Sequence, residues 1–274
     1  MTATDGGARI QPIEPPYLLT DADEHLDPRV TVHCDAGLTV VEMAVRGRWT
    51  PDLGAEVSAA LRMCLAAAPT AIVVALHGLA DPRGASLPFW LALWREARFE
   101  PVPVHVTFSI AAASALSRRL RFLQGPQPRV YATVPAARAA IAMRRSRADR
   151  RQAWLEPRAA SVKAVRSLAA QACQDWNRPK LLPDILLIAS ELAGNAVQHA
   201  RTDFVVTMSR SDTRLYVAVY DGVRGFPVVT DVKLAAGPAL LAERGRGLRL
   251  VHATAVAWGA VPAPDGKVVW AAVT

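Results

Sequence analysis

Apolar and polar positions along the chain fall into two stretches of alternating helical and strand periodicity. Between residues 29 and 143, Val40 to Val45 predicts a strand, Leu53 to Leu65 an amphipathic helix and Ala71 to Leu76 a fully apolar strand. Pro88 to Arg98 then predicts a helix, Val102 to Phe108 a strand, and residues 111 to 123 and 135 to 143 two further helices. That alternation predicts an α/β sheet with helices on it. In the second half, PDILLIAS at 183–190 is apolar at helical spacing and runs into ELAGNAVQHA at 191–200. FVVTMS at 204–209 and RLYVAVYDG at 214–222 alternate with period two and are joined by the turn-rich RSDT, which predicts an antiparallel hairpin. A last apolar helical run passes through Leu248, Leu250, Val251 and Ala255.

A composition break separates the two stretches. Residues 144–151 hold five arginines and one aspartate, followed by Gln152 and Glu156-Pro157, which reads as an exposed connector. With 274 residues, two domains are expected. Residues 1–27 form a tail, 28–143 the first α/β domain, 144–157 an arginine-rich linker and 158–274 the second domain.

Candidate chemistry concentrates in the second domain. On a regular helix Glu191, Asn195 and His199 stand at i, i+4 and i+8 and share one stripe. A carboxylate there can take a proton from a hydroxyl or water, and an amide oxygen is a hard ligand suited to Mg2+ that keeps several waters. Isolated, such a pattern is also what a solvated helix face shows. Asp221-Gly222, followed by Gly225, puts an acid where a strand leaves its sheet, and the glycines permit close approach of a ligand or backbone. Gly245 and Gly247 immediately precede the last helical run, and a glycine-led helix start can cradle an anion.

In this order the motifs resemble one family. Residues 159 to 274 are similar to the ATP-binding (GHKL) domain shared by gyrase B, histidine kinases and MutL, in its anti-sigma-factor serine/threonine kinase branch, an α/β sandwich of a mixed sheet with helices on one face. Glu191, Asn195 and His199-Ala200 correspond to its first box and Asp221 to its adenine-recognition acid. Gly245-Arg246-Gly247-Leu248 with Leu250-Val251 correspond to its second glycine box, and Trp258-Gly259 with GKVVW at 266–270 to its terminal hairpin. The resemblance implies ATP with Mg2+ as cofactors, Asn195 as the metal ligand and Asp221 with Gly225 around the adenine. It further implies that Gly245, Arg246, Gly247 and Leu248 surround the phosphates, that Glu191 is the general base toward a substrate serine, and that the protein is a homodimer. Two departures stand out: the second position after Asp221 is Val223 where the family has glycine, and Val268 is the apparent counterpart of a hairpin threonine. Losing one such hydroxyl contact predicts weakened nucleotide affinity, by about 0.5–1.5 kcal/mol.

The first domain resembles a STAS domain, the fold of anti-sigma-factor antagonists, through VRGRWTPDLGAEVSAAL at 45–61, the apolar strand leading to Asp81 and VPAARAAI at 134–141. Where antagonists carry Asp-Ser-Ser-Gly, this chain has Asp81-Pro82-Arg83-Gly84, without a phosphoacceptor. Ser86 lies beyond the glycine and reads as a cap of the next helix. No switching by phosphorylation at that loop is therefore expected, and phosphate mapped to Ser86 would refute this. The resemblances imply a regulator that phosphorylates or sequesters an antagonist or sigma-factor partner, with the fused antagonist-like domain docking within the chain. A nucleotide-binding switch without turnover is the alternative.

Composition narrows the partners. Hydrophobic residues make up 51% of the chain, yet no window approaches the roughly 18 uninterrupted apolar residues of a membrane span. Cys34, Cys64 and Cys173 are unclustered, and with no export signal in residues 1–27 they read as buried reduced thiols of a cytoplasmic protein. A net charge of +8 raises nucleic acid as a partner. The absence of aromatic residues in the arginine-rich run and of any recognition motif argues instead for a hinge or for docking of an acidic protein.

Overall fold

The computed structural model describes residues 15–19, 28–37, 39–99, 104–143, 149–211, 213–226 and 246–274. Two sheets organise them. The N-terminal sheet has strand order β2-β3-β4-β5-β6, formed by Val30–Cys34, Val40–Arg48, Ala71–Ala80, His105–Ser109 and Arg129–Tyr131. Only β2 runs antiparallel to its neighbour. The parallel strands are connected through α1 (Pro51–Ala66), α2 (Leu87–Phe99) and α3 (Ala115–Arg121), and α4 (Val134–Ala142) follows β6. Parallel strands need such crossovers, and the sheet is consequently covered on both faces. Leu53, Val57 and Leu61 of α1 with Trp90 and Leu93 of α2 pack against Val41, Met43, Val74 and Phe108. On the opposite face Ala137 and Ile141 of α4 cover Val40, Ala71 and Val73.

Local chemistry starts these helices. Thr50 precedes Pro51 and accepts the Leu53 amide at 3.2 Å, and Thr133 accepts that of Ala136 at 3.3 Å. At the start of α2, however, Asp81 accepts the amides of Ala85 and Ser86 at 2.8 and 2.9 Å. The Ser86 hydroxyl donates to Asp81 at 2.5 Å and accepts the Trp90 indole at 2.8 Å, so it ties loop to helix through side chains instead of capping backbone.

The C-terminal sheet has order β1-β10-β11-β9-β8-β7, formed by Tyr17–Leu18, Ala257–Ala263, Gly266–Val273, Leu215–Asp221, Phe204–Arg210 and Arg150–Leu155. All pairings are antiparallel except that of β1 with β10. Helices α5 (Ala159–Asp175), α6 (Leu182–Asn195) and α7 (Arg246–Thr254) lie on one face, over Val217, Val219, Val269 and Ala271. Two strands arise from stretches the sequence reads as connectors. Tyr17–Leu18 extends the sheet edge, seated where a side chain on Gly259 would run into the Tyr17 carbonyl. Arg150–Leu155 pairs with β8 along its whole length, with Ala153 and Leu155 half-buried and Gln152 and Trp154 exposed at strand period.

The second face of this sheet is also buried. Tyr216 and Ala218 of β9, Val261 of β10 and Val268, Trp270 and Ala272 of β11 join the same apolar cluster as α1, α2 and the N-terminal sheet. Tyr17 stacks on Trp270 with ring centroids 6.1 Å apart. Covered on both sides, β11 carries no solvent-facing residue, and this is why it reads as a nearly continuous apolar run. Cys34, Cys64 and Cys173 are free and buried, and burial pushes the Cys64 thiol up to about 12. No helix among the described residues is long and apolar enough to cross a membrane.

Candidate functional site

Helix α6 buries Ile185, Ile188, Ala189 and Leu192 against the sheet, which leaves Glu191 and Asn195 half-buried along its flank. Directly after Asn195 the helix widens into a π turn, Ala196–Ala200, closed by the Arg201 amide donating to the Ala196 carbonyl at 3.0 Å. Arg201 ends it in the left-handed region at φ 55°. The wider turn rotates His199 off the α-helical stripe, and the ring is exposed. His199 thus departs from the shared face expected for it, while Glu191 and Asn195 keep theirs.

The chain folds α7 back against α6. There the Glu191 carboxylate lies so close to the Gly247 backbone that a Cβ at position 247 would collide with Oε2. The glycine is required for this approach, and it brings an acid on one helix to the N-terminal turn of another. Leu248 packs partly into the helix-side core and Val251 is fully buried, whereas Leu250 points outward. The Trp258 indole donates to Nδ1 of His252 at 3.1 Å and fastens α7 to β10. Gly245 lies outside the described residues, and of Arg246 only the backbone, opening α7, is described.

Asp221 ends β9 on the same side of the sheet and is 5% exposed. Its Oδ1 accepts the Val223 amide at 3.0 Å and the Lys267 ammonium at 2.8 Å. Lys267 also donates to the Val223 carbonyl at 2.9 Å, and the Gly222 amide donates to the Thr202 hydroxyl at 2.9 Å. Register explains the pair: Lys267 stands opposite Asp221 across β11 and β9, and side chains alternate, so Lys267 shares the helix side with Val269 and Ala271. Val268, the apparent counterpart of the family's hairpin threonine, faces the N-terminal half. Gly225 is exposed in open surroundings.

Lys267 and Thr202 are the site residues the sequence reading missed. The signal for Lys267 was present, as a lone charge opening an otherwise apolar strand. A turn tight enough that a Cβ at Gly266 would strike the Asp221 carbonyl delivers it to the acid.

Among the described residues no group of three or more His, Cys, Asp or Glu gathers to hold a metal ion. An ion at Asn195 would therefore depend on phosphate oxygens and water for most of its shell, which is how Mg2+ accompanies nucleotides. At the start of α7 the space beside Gly247 is taken by the Glu191 carboxylate, so a phosphate there would require that side chain to turn away. Asp221 fits a base less simply, because one carboxylate oxygen already serves a lysine.

Residues 155–272 match the family model of the histidine kinase-like ATPase domain. An N-terminal region is similar to the crystal structure of an anti-sigma factor antagonist from Mycobacterium paratuberculosis. That likeness has 20% sequence identity and a TM-score of 0.32, covering 47% of this chain and 99% of that one. No curated protein matches the chain.

Proposed function

We propose that the protein is a nucleotide-dependent partner-switching regulator of the anti-sigma-factor kinase type, binding ATP with Mg2+ and phosphorylating or sequestering an antagonist or sigma-factor partner. The observation that carries this reading is the Glu191 carboxylate set against the Gly247 backbone, with Asn195 one turn further along α6. In the phosphorylating form Glu191 takes the proton from a serine hydroxyl of the partner, the oxygen attacks the terminal phosphorus, and ADP leaves. Positioning and charge neutralisation supply most of the remaining acceleration. Asn195 holds the metal and the α7 start receives the phosphates.

A second reading is a nucleotide-binding switch without turnover; in either reading the Asp221–Lys267 ion pair lowers nucleotide affinity, because an ammonium beside the base-recognition acid competes with an exocyclic amine for the carboxylate. Calorimetric titration of the whole protein with ATP and Mg2+, alongside Asn195→Ala and Glu191→Gln, tests both. Loss of binding in Asn195→Ala supports the nucleotide site, and equal binding in the two proteins refutes it. Phosphate transfer to serine in an antagonist protein that disappears in Glu191→Gln supports the kinase, whereas nucleotide-dependent capture of the partner that survives Glu191→Gln supports the switch.

A further inference from the structure

Arginines collect at one end of the N-terminal sheet. Strands β3, β4 and β5 run parallel, so their C-terminal ends share one rim, where neighbouring strands stand only about 5 Å apart. Arg48 ends β3 beside Ala80 of β4, and the turn that leaves β4 carries Arg83, closed by the Gly84 amide donating to the Asp81 carbonyl at 3.1 Å. Helix α3, which follows β5, folds against that turn. The Arg119 guanidinium donates to the Gly84 carbonyl at 3.3 Å, and a Cβ on Gly84 would lie 3.0 Å from Cδ of Arg119. Arg118 donates at 2.6 Å to the Ala113 carbonyl, in the loop between β5 and α3. Strand register and backbone carbonyls thus hold Arg48, Arg83, Arg118 and Arg119 on one surface, and all four are exposed.

Their charge is not neutralised from within. Elsewhere Arg138, Arg151, Arg158 and Arg210 pair with Glu42, Asp175, Glu156 and Asp149, but among the described residues none of the four rim arginines pairs with a carboxylate. Two acids share the rim. Asp81 gives its oxygens to the Ala85 and Ser86 amides and the Ser86 hydroxyl, and Asp52 stands in the first turn of α1, where it complements the helix dipole. One carbonyl contact each leaves Arg118 and Arg119 most of their five donors. An aromatic ring adjoins them: Phe122 caps α3 one turn beyond, and is 82% exposed. Arginine with an exposed aromatic is the composition of protein contacts. The arginine-rich linker does not extend the patch, since Arg150 donates to the Gly37 carbonyl and Arg151 pairs with Asp175.

We propose that this rim docks an acidic segment of a partner protein, whose carboxylates meet Arg48, Arg83, Arg118 and Arg119 and whose apolar side chain covers Phe122. The acidic partner then sits on the end of the N-terminal sheet and not on the linker. The surface is independent of the nucleotide site proposed above.

Fluorescence anisotropy of a labelled peptide of glutamates interspersed with leucines tests it, with the full-length protein as titrant, no nucleotide and about 0.1 M salt, where charges interact over about 10 Å. Arg48→Glu and Arg83→Glu should each weaken binding roughly tenfold or more, as like charges then face each other across the contact. Phe122→Ser should weaken it about fivefold or more and leave binding of an all-glutamate peptide unchanged. Arg98→Glu makes the same charge change in the last turn of α2, about 16 Å along the helix from Leu87, and should have little effect. All these positions are exposed, so the variants leave the core untouched. Absence of peptide binding overturns the proposal, as does an equal loss in Arg98→Glu and Arg83→Glu, which would report net charge and not a surface. A single-stranded DNA oligonucleotide of the same charge that binds as tightly or more tightly overturns the assignment to a protein segment.

Discussion

Asp81 and Asp221 each stand where a strand leaves its sheet, each followed within four residues by a glycine, and the fold puts them to different use. Asp81 is only partly buried and spends its oxygens on the Ala85 and Ser86 amides and the Ser86 hydroxyl, so it organises the start of α2. Asp221 is 5% exposed and shares Oδ1 between an amide and the Lys267 ammonium. What separates a structural acid from a candidate recognition acid is therefore burial beside a charged partner, and neither the local motif nor the position at a strand end reports it. Ser86, the hydroxyl nearest that loop, is fully buried.

The largest effect expected is on the layer beneath Asp221. Trp270→Ala should destabilise the protein by about 3–5 kcal/mol in urea denaturation, because the indole is fully buried in a cluster shared by both halves. Both halves should then unfold in one transition, and two separate transitions in the wild type would break the picture of a shared core. Lys267→Met should cost about 3 kcal/mol by leaving a buried carboxylate unpaired, and a double variant with Asp221→Leu should recover most of that loss. If the single change proves neutral, the pair does not distinguish Asp221 from Asp81. Ser86→Ala should cost about 1 kcal/mol, since it removes the hydroxyl between Asp81 and Trp90.

The smallest effect is a pH dependence. Burial raises the Asp81 carboxyl, but the hydrogen bonds from Ser86, Ala85 and Gly84 together outweigh it and hold the group below its ordinary value. The unfolded chain then binds the proton more tightly than the folded one, so the contribution is complete above the ordinary carboxylate range and fades as pH falls through the lower folded value. Denaturation midpoints measured from neutral to acid pH should fall less steeply in Asp81→Asn than in the wild type. An unchanged acid limb would mean that these hydrogen bonds do not favour the charged form.

Apolar spacing determined β3, α1, β4, α2, β5, α3 and α4, the run of α6 and the β8–β9 hairpin, whereas the three-residue strand β6 is too short to show a period. The ordered motifs of the second half likewise marked it as a histidine kinase-like ATPase domain, which residues 155–272 match. Other features came from contacts distant in sequence. Helix α5 is not among the elements predicted, since its buried face, Ser161, Val165, Ala169, Ala172 and Cys173, is made of small side chains that give a weak apolar signal. The pairing of Tyr17–Leu18 with β10 depends on Gly259 leaving room for another backbone. The turn that removes His199 from the stripe is a change of helix pitch that the sequence does not announce, and Lys267 reaches Asp221 only through the register of β9 and β11. Side chains and their spacing are written locally. Which two of them meet, and how dry the meeting place is, depends on packing between segments far apart in the chain.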